Sequence, residues 1–167
     1  MKYFELRQLS VYDGIDIYNM LQRIGPSENA FNNDAYGLDF DHYKMWLIEK
    51  DAWCRGEMLP KGYVRQWVYW LFVDDIPVGF GKLRERVTEE SLQFGGNIGF
   101  AIDSLQRGKG YGSRLFELLL NVAKEKNISK IFSTVEKPNH PSKRVHEKMG
   151  GRLIKEDSLR WYYQFTL

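Results

Sequence analysis

The sequence predicts an α+β fold of the three-layer type, in which a central, mostly antiparallel mixed sheet is flanked by helices. Residues 67–73 form a nearly unbroken apolar run, and beyond two aspartates apolar residues alternate with glycines over residues 77–85. This pair is typical of a β-hairpin whose first strand is buried on both faces. Residues 99–103 lead through a glycine-rich turn into residues with helical apolar spacing. A hairpin over residues 153–167 closes the chain.

Length and composition limit the classes of protein that fit. We expect one domain over residues 1–167, because this length can bury a core and no repeat or linker divides it. A net charge of +2 does not favour nucleic acid. No run approaches the roughly 18 apolar residues of a membrane span, and the first ten residues lack a signal-peptide core. The single cysteine, Cys54, fits a reducing compartment. We expect a cytoplasmic monomer or homodimer without a membrane or nucleic-acid partner.

The beginning of the chain predicts a strand followed by a helix. Residues 3–9 alternate loosely between apolar and polar types and predict the strand. Ser10 or Asp13 is expected to cap the helix, because a short polar side chain can accept a free N–H of the first turn. Gly25, followed by proline, ends it.

A second helix follows a polar loop over residues 25–38. Asp39 or Asp41 is expected to begin it, and the loop over residues 56–62 follows its end. Cys54 has no evident histidine partner, so we expect it to be a packed residue of this helix and not a nucleophile.

Beyond the first hairpin, the charged residues 88–94 predict the tip of a second hairpin. Residues 97–103 then form the strand that leads into the glycine-rich turn. Gly95, Gly96 and Gly99 lie around the start of this strand and indicate a bulge or a close approach of two backbones.

The remaining elements alternate helix and strand before the closing hairpin. An amphipathic helix extends from Gly112, and residues 130–135 form an apolar strand. A turn with two prolines precedes a short helix over residues 142–149, which Gly150 and Gly151 end.

The turn between the strand and the amphipathic helix carries the chemistry. It holds the glycines Gly108, Gly110 and Gly112 and the basic residues Arg107 and Lys109. Such a turn aims unpaired N–H groups and the positive end of the helix dipole at one point. That point is a site for phosphate or pyrophosphate, unless the glycines only form a tight turn.

The glycine spacing separates this turn from two familiar nucleotide loops. The Walker pattern fails because Asp103 stands where its first glycine belongs, and the dinucleotide fingerprint meets Ser113 in place of its third glycine. The pattern R-x-x-G-x-G fits, at Arg107, Gly110 and Gly112. It resembles the coenzyme A pyrophosphate loop of the GNAT superfamily, the acetyl-CoA-dependent N-acetyltransferases.

A second stretch supports this resemblance. Members of the superfamily often carry N-x-x-S and then Y-E-K-x-G after the fifth strand, and the chain matches at Asn139, Ser142, Glu147, Lys148 and Gly150. It departs at His146, where the tyrosine is usual. The ending EK-x-GG is similar to a poorly characterised bacterial subgroup in which the tyrosine is commonly absent. The order of elements agrees over the full length.

The resemblance implies an enzyme that moves an acetyl group from acetyl-CoA to a primary amine by direct attack in a ternary complex. It implies that the fourth and fifth strands splay apart and that backbone groups pair with the pantetheine arm, where an N–H would also steady a developing oxyanion. The implied coenzyme contacts are Phe100, Ala101, Ile102, Arg107, Gly108, Lys109, Gly110, Tyr111, Gly112, Asn139 and Ser142. Asn139 is equally suited to cap the helix, and Ser142 to be a first-turn residue.

Three residues are candidates for moving protons during the transfer. His146 has a reference pKa that suits a proton donor to the leaving thiolate, or it fills space at an interface. Glu85 and Asp103 are the carboxylates nearest the expected cleft and are candidate bases. Each has an alternative, an ion pair for Glu85 and a capped turn for Asp103, and a chain of water molecules would also serve. No cluster has metal-ligand spacing, so we predict no metal.

The resemblance implies that the acceptor is a small molecule or a peptide that carries an amine. Five aromatic residues are candidates to line its pocket or to belong to the core: Tyr36, Trp46, Trp53, Trp161 and Tyr162. Two other functions stay open. One is a non-catalytic acyl-CoA-binding module, and the other is an unrelated nucleotide-binding protein.

Overall fold

Seven strands and five α-helices are present in the computed structural model, which describes all residues from Met1 to Leu167. In chain order they are β1 (Phe4–Gln8), α1 (Ile15–Ile24), α2 (Phe40–Cys54), β2 (Gln66–Val73), β3 (Ile76–Arg84), α3 (Glu89–Gln93), β4 (Ile98–Ile102), α4 (Tyr111–Glu125), β5 (Lys130–Glu136), α5 (His140–Lys148), β6 (Arg152–Glu156) and β7 (Arg160–Thr166). None of the helices is long and apolar enough to cross a membrane.

The strands form two sheets, ordered β1-β2-β3-β4 and β5-β7-β6. Every pair of neighbouring strands within them is antiparallel. A single bridge joins the two sheets. It lies between Gly96, just before β4, and Ser133 of β5. The expected splaying of the fourth and fifth strands is therefore present.

The long apolar run of β2 serves two cores, one on each face of the first sheet. Its odd-numbered residues from Trp67 to Val73 pack into a core that contains Leu115 and Leu119 of α4. Val68, Trp70 and Phe72, on its other face, pack into a second core under α1 and α2. Because β2 is buried on both faces, it contains no alternating polar positions.

Glycines on β3 let α4 lie directly on the sheet. A Cβ on Gly79 would stand 3.0 Å from Leu115 Cδ2, and one on Gly81 would stand 3.0 Å from Leu119 Cδ1. The alternation of glycines with Val78 and Phe80 therefore makes room for α4 on one face of the strand.

The starts of the first two helices differ in how they are capped. Asp39 caps α2, as one of the two expected residues. The expected cap of α1 by Ser10 or Asp13 is wrong, because Gly14 is the N-cap and contributes no side chain. The Asp13 carboxylate instead accepts the N–H of Ser10 and the indole N–H of Trp70, each within 2.8 Å.

Residues 88–94 are not a hairpin tip, and this expectation is wrong. They contain the short helix α3, whose cap is reciprocal. Thr88 Oγ1 accepts the N–H of Ser91 at 3.1 Å, and Ser91 Oγ accepts the N–H of Thr88 at 2.7 Å. This local capping box satisfies two donors that a hairpin tip would leave to solvent.

Gly96 confirms the expected close approach of two backbones. Its φ is +78°, and a Cβ there would lie 2.2 Å from the carbonyl oxygen of Phe132. Around it, the N–H of Asn97 donates to the same oxygen and the N–H of Thr134 donates to the carbonyl of Gly95. The two sheets are therefore joined at this glycine and separate beyond it.

Candidate active site

A cavity of about 750 Å³ opens where β4 and β5 separate. Its walls are β4, the loop that leads into α4, and the starts of α4 and α5. It contains nearly all of the residues that the resemblance implies as coenzyme contacts. Among them only Lys109 lies outside the lining.

The register of β4 determines which backbone groups face the cavity. The N–H of Arg84 donates to the carbonyl of Asn97, and the N–H of Asp103 donates to the carbonyl of Val78. In an antiparallel ladder the bonded residues alternate, so Ala101 directs its N–H and C=O toward β3. Phe100 and Ile102 direct theirs away from β3, toward the cavity. Ala101 lines the cavity without offering backbone groups to it.

The loop before α4 presents free N–H groups at the other end of the cavity. Gly108 and Gly110 have φ of +77° and +81°, a backbone conformation that glycine adopts without strain. Gly110 is the N-cap of α4 and offers no side-chain acceptor, and the first helical bond runs from Arg114 N–H to its carbonyl. The N–H groups of residues 111–113 are therefore available to an anion at the positive end of a 15-residue helix.

The basic residues of the loop differ in position. Arg107 lines the cavity, and its Nε donates to the carbonyl of Ile102 at 3.2 Å. Lys109 Nζ donates to Gln106 Oε1 at 2.7 Å and lies outside the cavity lining. The ring of Tyr111 is buried against Phe4, so only its backbone faces the loop.

The start of α5 forms another wall. Asn139 caps this helix, with Oδ1 accepting the N–H of Ser142 at 3.3 Å, and both residues line the cavity. The helix starts at His140, as the expected cap at Asn139 implies, and two residues before the predicted range of residues 142–149. Asn139 therefore caps α5. Because it also lines the cavity, a contact with a coenzyme stays a prediction.

His146 belongs to the cavity lining but is only 1% exposed. Its Nδ1 is 2.7 Å from the carbonyl oxygen of Ser142, which can only accept, so Nδ1 carries the proton. Its Nε2 then accepts the hydroxyl of Ser133 at 2.7 Å. Burial, among rings that include Phe116 and Tyr163, lowers the pKa of His146 to about 4.

These surroundings argue against the predicted acid role of His146. At neutral pH the imidazole is uncharged, and both of its nitrogens are bonded within the protein. What the arrangement does is fix the hydroxyl of Ser133, which lines the cavity. The neighbouring Thr134 Oγ1 is buried in the same wall and has no hydrogen-bond partner within the protein. Neither hydroxyl was singled out by the sequence, since serine and threonine are ordinary strand residues.

The two candidate bases lie outside the cavity lining. Asp103 is 1% exposed, and its carboxylate accepts Arg23 Nε at 2.7 Å and the N–H of Leu105 at 3.0 Å. It therefore caps the turn, which was the expected alternative to a catalytic role, and it is not among the residues that line the cavity. Glu85 is exposed beyond the end of β3 and lines neither of the two principal cavities.

A second cavity, of about 550 Å³, adjoins the first. The segment Glu28, Asn29, Ala30 and Phe31 lines both. Of the five aromatic residues expected at an acceptor pocket, Trp53 lines this cavity, and the other four line neither. Trp46 is instead in the core, stacked on Tyr43. Two lysines, Lys50 and Lys82, line the second cavity and were not expected there.

The side chains form no metal-binding group, and the one thiol is buried. No group of three or more histidine, cysteine, aspartate or glutamate side chains is placed to hold a metal ion. Cys54 is buried, and burial raises the pKa of its thiol.

A sequence profile of the acetyltransferase (GNAT) family matches residues 19–151. The chain therefore belongs to this family, and the resemblance drawn from its glycine loop is confirmed. The expectation of an acyltransferase enzyme is confirmed with it. No curated protein matches the chain.

Solved structures share the fold at low identity. RimL, a ribosomal L7/L12 α-N-protein acetyltransferase in complex with coenzyme A, gives a TM-score of 0.73 at 14% identity, over 98% of this chain and 94% of its own. The ribosomal-protein-S5-alanine acetyltransferase of Vibrio fischeri gives 0.69 at 16% identity, over 98% and 92%. The yncA protein of Salmonella typhimurium, solved with acetyl-CoA, gives 0.65 at 14%, over 98% and 94%. These likenesses confirm the fold class, an antiparallel sheet flanked by helices.

Proposed function

We propose that the protein transfers an acetyl group from acetyl-CoA to a primary amine of a small molecule or peptide, by direct attack in a ternary complex. The observation that carries this proposal is a convergence within one cavity. The free backbone edge of β4 and the uncapped start of α4 both open into the space between the separated strands. Two of the structural neighbours named above contain coenzyme A or acetyl-CoA.

The residues present fit such a donor. A diphosphate would accept the N–H groups of residues 111–113 and meet the positive charge of Arg107. The amides of a pantetheine arm would pair with Phe100 and Ile102, whose backbone groups face the cavity. Asn139 and Ser142 stand across from this edge.

When bound, acetyl-CoA supplies the thioester carbonyl that an amine attacks. The protein's share is to hold both reactants together, which contributes more to the rate than any single side chain. An N–H of the β4 edge, of Phe100 or Ile102, is the donor proposed for the charge that develops on the carbonyl oxygen.

Proton transfer is proposed to use solvent and hydroxyls instead of a dedicated pair of residues. His146 is neutral and internally bonded, and Asp103 and Glu85 lie outside the cavity lining. The hydroxyl of Thr134 is buried in this wall without a partner in the protein, and it is the group proposed to bind water or the leaving group. We also propose a cytoplasmic location, supported by the one buried thiol, Cys54.

Thiol release with a panel of amines tests the transfer, and the thermal shift caused by coenzyme A tests binding. We expect both a coenzyme-dependent rise in melting temperature and acetylated product, identified by mass. Binding without product for every amine would instead assign the chain to the non-catalytic module. A rise in melting temperature with ATP and none with coenzyme A would contradict the coenzyme cleft itself.

A further inference from the structure

The second cavity adjoins the first cavity, which is the proposed coenzyme cleft. An acceptor for the transfer would have to bind next to that cleft. The two cavities share the segment from Glu28 to Phe31, which closes on itself through a bridge between those two residues. Its own walls come from α2, from the loop before β2, and from β3. An amine bound there would lie across one short segment from the cleft.

A buried cation lies in the wall of this cavity. Lys82 is 5% exposed, and its Nζ lies over the faces of Phe31 and Phe80, at 4.7 and 5.1 Å from their centroids. Its hydrogen bond goes to the carbonyl oxygen of Asn32. No carboxylate is among its ion-pair partners, although an ammonium removed from water normally has one.

None of the other charges of the cavity forms an ion pair with Lys82. Asp34 forms its ion pair with Lys50, whose Nζ lies 2.8 Å from Asp34 Oδ2 and 2.9 Å from Glu49 Oε1. Arg84 donates to two backbone carbonyls and has no carboxylate partner. Two further carboxylates of the lining, Glu28 and Glu90, are on exposed residues. Positive charge therefore lies at depth, and negative charge lies mainly where water screens it.

We propose that this cavity binds the acceptor, and that Lys82 selects an amine whose other end carries a carboxylate. The proposal rests on the acetyl transfer proposed above. A carboxylate at Lys82 would provide the missing counter-charge through a charge-assisted hydrogen bond. The rings of Phe31, Trp53 and Tyr63 would cover the apolar body between the two ends.

Binding of such an acceptor is coupled to a proton. Burial lowers the pKa of Lys82 to about 7; Asp34 opposes this shift, while Arg84 and Lys50 add to it. A carboxylate placed against the amine favours its charged form and raises that pKa. Above pH 7 the cavity is then expected to take up a proton as the carboxylate binds, and affinity falls as pH rises.

The test compares acceptors that differ only in the distal group. Calorimetry measures binding of 4-(aminomethyl)benzoate against 4-(aminomethyl)benzamide, and of 6-aminohexanoate against its amide, to the protein saturated with coenzyme A. In at least one pair the carboxylate is expected to bind about tenfold to a hundredfold more tightly. Lys82→Met removes the charge and should abolish this preference. Lys124→Met, an exposed lysine of α4, should preserve it.

Proton uptake separates a charge contact from a merely structural role. Titrations in two buffers of different ionisation enthalpy, above pH 7, should show uptake with the carboxylates, and none in Lys82→Met. Equal binding of carboxylate and amide, no binding of either, or a preference that survives Lys82→Met would overturn the inference.

Product analysis then distinguishes the two proposals. Carboxylate binding that depends on Lys82 without acetylation of any amine would uphold the cavity assignment and refute the transfer. Acetylation of amines without a carboxylate preference would uphold the transfer and refute the role of Lys82.

Discussion

Replacing Lys82 with methionine should change the stability of the protein by an amount that depends on pH. The side chain is 5% exposed, and burial lowers its pKa from 10.5 to about 7. In the unfolded chain the amine is hydrated and keeps its proton up to about pH 10. Between these two values the unfolded state binds about one proton more than the folded state. The natural protein therefore gains stability as pH rises through this window, and Lys82→Met lacks that gain.

The size of the effect follows from the two pKa values. The free energy of unfolding of the natural protein, relative to Lys82→Met, should rise by about 1.4 kcal/mol per pH unit across the window. The variant's advantage is greatest below pH 7, where the full cost of the buried charge is of order 5 kcal/mol. Loss of the hydrogen bond to Asn32 offsets about 1–3 kcal/mol at every pH. The quantity to measure is therefore the slope, against pH, of the difference in unfolding free energy between the two proteins. The absolute size of that difference does not test the reasoning.

Urea unfolding of both proteins at about pH 7, 8 and 9 measures this slope. Other titrating groups are common to the two proteins and cancel in the difference. Lys124→Met, a change at an exposed lysine of α4, serves as the control, and its difference from the natural protein should stay flat. A flat line for Lys82→Met as well would mean that the amine is hydrated in the fold. The reasoning about a buried cation would then be wrong.

Three further changes test the cleft. Gly96→Ala should destabilise the protein by about 2 kcal/mol or more in urea unfolding, because of its φ of +78° and the overlap with the backbone of β5, whereas Gly14→Ala, with open space, should cost less than about 1 kcal/mol. Gly110→Asp should abolish the thermal shift by coenzyme A with the fold retained, while Gly110→Ala should keep much of it; equal shifts for all three proteins would contradict the phosphate site. His146→Phe should lower stability by about 1–3 kcal/mol and leave the shape of the rate–pH profile between about pH 6 and 9 unchanged. Disappearance of an acidic group from that profile would restore His146 as the proton donor.

Local signals explain what could be predicted from sequence. A positive φ at a glycine, a cap and an apolar period each depend on a few neighbouring residues, so the order of elements and the loop before α4 followed from the printed letters. Even the error at residues 88–94 had a local sign, because Thr88 and Ser91 are spaced as a capping box. The charged composition of the segment obscured it.

The catalytic candidates could not be placed in this way. His146, Asp103 and Glu85 lie at the sequence positions expected near the cleft. The direction of a side chain, however, depends on the groups that bond to it in the folded chain. Arg23 comes from α1 to Asp103, and Ser133 comes from β5 to His146. Both partners are distant in sequence, and no local pattern announces them.

The sequence by itself determined the family, most of the strand and helix order and the glycine-rich turn before α4, since these depend on patterns among near neighbours. Only the tertiary structure decided which groups face the two cavities. Lys82 illustrates the reason: a lysine on a strand normally reaches water, and it is buried here because Phe31 and Asn32, some fifty positions away, cover it. The free energy of a charge depends on what surrounds it in space, and spacing along the chain does not contain that information.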